Sequence, residues 1–134
     1  MIMCANIDDF NRGCALIMGR LYSTFPKKSV VKITELDDGP VPPSQETLET
    51  YSATLDFLAE EEYIRFGSQA GPEKERVFMA VRLTSKGLAA LNRNPDALDA
   101  PKSTVGSRVA AWSAGTIAGV ASDAVRHAVA VILG

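Results

Sequence analysis

Between Asp37 and Pro43 the chain reads Asp-Asp-Gly-Pro-Val-Pro-Pro, and three prolines with a glycine in five residues cannot continue a helix or a strand. The segments on its two sides must be separate elements. Before it, Phe10, Cys14, Ile17, Met18, Leu21 and Tyr22 recur at helical spacing behind a capping Asn6 or Asp8, until Phe25-Pro26 stops the pattern. This predicts an amphipathic core helix over roughly residues 7 to 24. Lys27 to Leu36 holds the β-branched run Val30, Val31, Ile33, Thr34, which reads equally as a short edge strand or as the start of a short second helix.

After the break, Ser44 is a good N-cap, Glu46 suits the positive helix end, and Leu48, Tyr51, Leu55 and Leu58 repeat at three and four residues, so a second long helix is expected to about Glu61. Tyr63-Ile64-Arg65-Phe66 and the segment Arg76 to Leu83 are strand-like, and Gly67 to Glu75 between them has the composition of a long hairpin loop. Thr84 or Ser85 caps a short helix carrying Leu88 and Leu91, which ends before Asn94-Pro95. The reading is an α+β chain, mainly α with a small antiparallel β-hairpin: a domain over 1–94, a linker over 95–103 and a C-terminal Ala/Gly-rich amphipathic helix over 104–134. A chain of 134 residues, 46% hydrophobic and 22% charged, is enough to bury one core.

The order helix, short element, helix, two-stranded hairpin, helix resembles the winged helix-turn-helix superfamily. Thr54-Leu55-Asp56-Phe57-Leu58-Ala59-Glu60-Glu61-Glu62-Tyr63-Ile64-Arg65 looks like the end of a recognition helix entering the first wing strand, with Glu62 where bacterial regulators often carry glycine. Leu83-Thr84-Ser85-Lys86-Gly87-Leu88-Ala89-Ala90-Leu91 is similar to the segment that leaves the second wing strand in regulators of the multiple-antibiotic-resistance and phenolic-acid types. The likeness covers about residues 7 to 93 and leaves the tail unexplained. It implies that the helix before the wing enters the major groove, which places Gln45, Thr47, Thr50 and Thr54 at base-reading positions, with Lys74 and Arg76 on the wing beside the phosphates.

Charge speaks against that use. Fourteen Lys and Arg stand against sixteen Asp and Glu, a net charge of −2, whereas a dedicated nucleic-acid binder shows a basic excess. From Ile33 to Ile64 there are nine acids and not one Lys or Arg, a poor surface to press against phosphates. Lys27, Lys28 and Lys32 before that stretch, and Arg65, Lys74, Arg76 and Arg82 after it, are the cations that could flank a duplex, or else ordinary solvated charges. The acidic helix reads either as a solvated face or as a surface that steers a basic protein partner.

In the tail, Val105, Val109, Trp112, Ile117, Val120, Ala121, Val125, Ala128, Val129 and Ile132 form an apolar stripe that something must cover. Gly115 and Gly119 stand four apart in a row of small residues that lets two helices approach closely. Three covers are open: the chain's own domain, the same helix of a second subunit, or a membrane. The membrane reading fails on length, since Val109 to Ser122 is only fourteen uncharged residues. Homodimerisation through Val109, Trp112, Gly115, Gly119 and Val120 is the preferred expectation, because a two-fold pair buries the same stripe twice.

Chemistry-bearing patterns are sparse. His127 has no second His or Cys at metal-ligand spacing, and Cys4 and Cys14 fall on different faces of a helix and read as free thiols. No phosphate loop, nucleophile elbow or His-Glu-x-x-His motif occurs, so neither catalysis, metal nor cofactor is expected. The N-terminus lacks the pattern of a signal peptide, and a cytoplasmic protein is expected. Two functions fit these residues: a dimeric winged-helix regulatory or accessory protein that binds duplex DNA, or a winged-helix protein-interaction module that binds none and uses its acidic helix or tail.

Overall fold

The first helix, α1 (Ala5–Thr24), carries seven consecutive buried residues, Gly13 to Gly19. A helix buried on successive positions is covered all round rather than along one stripe. Its covers come from both halves of the chain, and a computed structural model describes them for residues 5–37, 41–72, 74–93 and 104–134. Asp38 to Pro40 of the proline-rich break and the expected linker from Pro95 to Ser103 lie outside the described residues.

On one side α1 meets α2 (Gln45–Glu60), whose buried Tyr51, Leu55 and Leu58 are the stripe read from the sequence. Ser44 caps α2 by accepting a hydrogen bond from the Thr47 backbone N–H at 3.1 Å. The Tyr51 ring lies so close to α1 that a Cβ on Gly13 would stand 2.7 Å from it. Between the helices, the Asp37 carboxylate accepts from Arg12 Nε at 2.7 Å and from Tyr51 Oη at 3.1 Å. That bond keeps the Arg12 guanidinium above its ordinary pKa, and burial together with the Asp37 charge raises the Tyr51 phenol.

The sheet is antiparallel. Its middle strand is β4 (Val77–Leu83), with β1 (Ser29–Lys32) on one side and β2 (Ile64–Arg65) and β3 (Ser68–Ala70) on the other. Of the two readings of Lys27 to Leu36, the strand is present as β1, and the second helix is reduced to a single 3-10 turn, Ile33–Glu35. The register Val31↔Phe78 slips by one residue before Ser29↔Val81, and Ala80, with φ of +58°, absorbs the extra residue as a bulge. The expected long hairpin loop is shorter than its composition suggested, because Ser68–Ala70 pairs with Val77 to Met79. Phe78, Val81 and Leu83 face the helices, while Met79 and Arg82 face solvent. Thr84 caps α3 (Ser85–Leu91) by accepting from the Gly87 N–H at 3.1 Å.

The tail corrects an expectation. It is not one helix but α4 (Val105–Ala111), a kinked stretch over Trp112–Gly119, and α5 (Ser122–Leu133). Gly115 makes the kink with φ of +122°, a conformation only glycine adopts without strain. Most of the apolar stripe is covered by the chain itself: Val105, Val109, Ile117, Val125, Val129 and Ile132 are all buried. α4 crosses α1 so tightly that a Cβ on Gly19 would stand 2.1 Å from the Val109 carbonyl oxygen. Arg93 Nη1 donates to the Val131 carbonyl at 2.6 Å and Tyr63 Oη to the Leu133 carbonyl at 3.4 Å, tying α5 back to the α2–α3 end. Among the described residues, no helix is long and apolar enough to cross a membrane.

Cys14, in the middle of α1, is wholly buried, and desolvation pushes its thiol up to about 12 from an ordinary 9.0. In a Cys4→Ser variant, Cys14 is therefore expected to resist a thiol reagent at pH 8 until denaturant is added; native-state labelling would show that α1 is not enclosed. Because the folded value is the higher one, the contribution to stability is full below about pH 9 and is lost as pH rises toward 12.

Candidate functional site

The residues expected to touch DNA do not form one surface. Thr54 is 1% exposed, and its hydroxyl donates to the Thr50 carbonyl at 2.7 Å. Thr50 in turn donates to the Glu46 carbonyl at 3.1 Å, and Thr47 to Asp9 Oδ2 at 3.0 Å. Gln45 is exposed, at the edge of a depression that it shares with Lys32 and Lys74 on another side of the molecule.

Arg76 is the clearest correction to the wing reading, since it is 6% exposed and directed inward. Its guanidinium donates to both Asp56 oxygens, at 2.8 and 3.0 Å, to Ser52 Oγ at 2.7 Å and to Gln69 Oε1 at 3.0 Å. The same group lies 4.5 Å from the centroid of the Phe78 ring. Arginine's planar fork is suited to this bidentate arrangement, which staples β4 to the middle of α2. Neither Arg76 nor Thr54 can meet a phosphate or a base in this conformation.

Of the tail residues expected at a dimer interface, Val109 is buried against α1, Trp112 and Val120 are half-buried, and Gly115 and Gly119 are exposed. The kink at Gly115 breaks the straight row of small residues that close helix pairing requires.

The outer face of α2 instead presents an open groove of about 580 Å³ between it and the start of α1. Ile7 and Phe10 from α1 and Ala53 and Phe57 from α2 form its floor, with Glu46 and Glu49 at the rim. Phe57 packs edge-on against Phe10 at 5.4 Å between centroids, yet remains 39% exposed, and Ile7 is 49% exposed. Glu60 and Glu61 extend the acidic border beyond the groove. The spacing did carry a signal for this patch, because Phe57 stands off the Leu48–Tyr51–Leu55–Leu58 stripe on the acidic side of α2.

No group of three or more His, Cys, Asp or Glu residues able to hold a metal ion occurs among the described residues. No family model matches the sequence, and no curated protein or solved structure is significantly similar to it.

Proposed function

We propose that the chain is a winged-helix-type module that binds protein through the α1–α2 groove and does not read nucleic acid. The winged-helix part of this reading is supported by the element order, helix, strand, short element, helix, hairpin and helix. The element before α2 is one 3-10 turn where a helix-turn-helix has a full helix, which weakens the DNA-docking half of the resemblance. The observation that carries the protein-binding half is the groove itself. Where that resemblance puts base-reading side chains, α2 offers an apolar floor with Phe57 and a rim of carboxylates. Such a surface repels a phosphate backbone and suits an apolar anchor from a partner whose own rim is basic.

Two measurements test this. Fluorescence anisotropy with random-sequence duplex DNA at about 50 mM salt, where non-specific affinity is strongest, is expected to show no saturable binding. Micromolar binding that falls steeply with salt would restore the DNA-binding regulator. In the cells that make the protein, a photoreactive benzoylphenylalanine in place of Phe57 is expected to give protein adducts, and the same group in place of Glu75, exposed and away from the groove, none. Absence of adducts at both positions would remove the groove as a binding face.

A further inference from the structure

The groove has its complement on the same molecule. Its floor is apolar and its rim negative, with Ile7 and Phe57 between Glu46 and Glu49. The solvent face of the sheet is apolar and positive: Val30 is 46% and Met79 43% exposed, beside exposed Lys32, Arg65 and Arg82. The bulge at Ala80 is what sets Met79 and Arg82, three positions apart, on the same outward side of β4.

The register places Arg65 directly opposite Arg82. Like charges across an antiparallel pair destabilise a sheet, and neither arginine has a carboxylate within ion-pair distance among the described residues. Two exposed apolar side chains flanked by two uncompensated guanidiniums are a poor solvent face and a good match for the groove. The groove lies on the helices, whereas this patch lies on the side of the sheet turned away from them, so no molecule can seat its own patch in its own groove.

We infer that the groove's occupant is the sheet face of a second copy of this chain, in a head-to-tail contact. Val30 and Met79 of one copy seat on Ile7 and Phe57 of the next, and Arg65 and Arg82 face Glu46 and Glu49. The inference rests on the groove being a protein-binding face, as proposed above. Apolar burial and the charge pairs supply affinity together, and the charges also set orientation and exclude groove-to-groove or sheet-to-sheet pairing. Because the two surfaces differ, the contact is heterologous, and each assembly keeps a free groove at one end and a free sheet patch at the other unless it closes into a ring.

Analytical ultracentrifugation of the full chain tests this. At low salt the average mass is expected to rise with concentration from 14.3 kDa to beyond that of a pair, and to fall back at about 0.5 M salt, where charge steering is screened. An Ile7→Ser/Phe57→Ser variant, which loses the groove floor, and an Arg65→Glu/Arg82→Glu variant, which loses the patch, are each expected to stay monomeric. Mixed in equal amounts, they are expected to form a pair of twice the monomer mass that grows no further, since each supplies the surface the other lacks. Pairing in the mixture also establishes that both variants are folded.

A wild-type chain that stays monomeric at every concentration overturns the inference, while adducts at position 57 would still support the groove as a face for another protein. Assembly unchanged in either variant, or no pairing in the mixture, overturns the head-to-tail contact.

Discussion

Alanine at Gly19 is expected to destabilise the protein by about 3 kcal/mol, the upper part of the range for a forced intrusion into a packed interior. In an isolated helix the same change would stabilise by about 1 kcal/mol, so the sign alone tests the structure. The cause is the crossing of α1 and α4, where an added Cβ would stand 2.1 Å from the Val109 carbonyl oxygen and 2.9 Å from the Ala110 nitrogen. Those are backbone atoms of a helix and cannot rotate away. A loss of this size corresponds to a fall in melting temperature of about 10 °C for a chain of this length. Trp112, the only tryptophan, sits next to the displaced helix and should report the loosening as a red-shifted emission. Gly119→Ala is the control, since a Cβ there meets nothing within 4 Å. Equal behaviour of the two variants would refute the crossing.

The second large effect belongs to the ion pair between β4 and α2. Arg76→Ala is expected to cost about 3 kcal/mol, because it leaves a cavity beside Phe78 and removes the donor that satisfies the fully buried Ser52 hydroxyl. Asp56→Ala should cost less, about 2 kcal/mol, since the Asp56 side chain is 40% exposed and solvent screens part of its attraction. In the Asp56→Ala/Arg76→Met double variant the losses should not add, because an apolar side chain of similar reach leaves no charge stranded. Urea unfolding of the wild type, Asp56→Ala, Arg76→Met and the double variant measures this coupling. Single variants within about 0.5 kcal/mol of wild type would mean the pair is only a surface contact.

These two features also mark where local sequence signals stop. The Ser44 cap, the Tyr51–Leu55–Leu58 stripe and the stop at Phe25-Pro26 depend on neighbours a few residues apart, and the elements they announce are present. The Arg76–Asp56 pair joins residues from a strand and a helix, and nothing near Arg76 distinguishes an inward arginine from a wing arginine. The tail failed for a different reason. Glycine spaced four residues apart fits a close helix contact and equally permits a positive φ, and Gly115 took the second course. The groove lay between these cases. Phe57 off the core stripe was visible in the sequence, but the pairing of its ring with Phe10 of α1, and hence a floor wide enough to receive a partner, required the helices to be in place.

The enclosure of α1 has a consequence for biosynthesis. Its second cover, α4 and α5, comes from the far end of the chain, so the first helix leaves the ribosome long before the residues that shield it exist. At ordinary translation rates of about 5–20 residues per second, the apolar side of α1 that includes Gly19 waits on the order of ten seconds uncovered. During that interval its apolar side is open to contact with other apolar surfaces, and a message cut short before α4 yields a product in which that side stays bare.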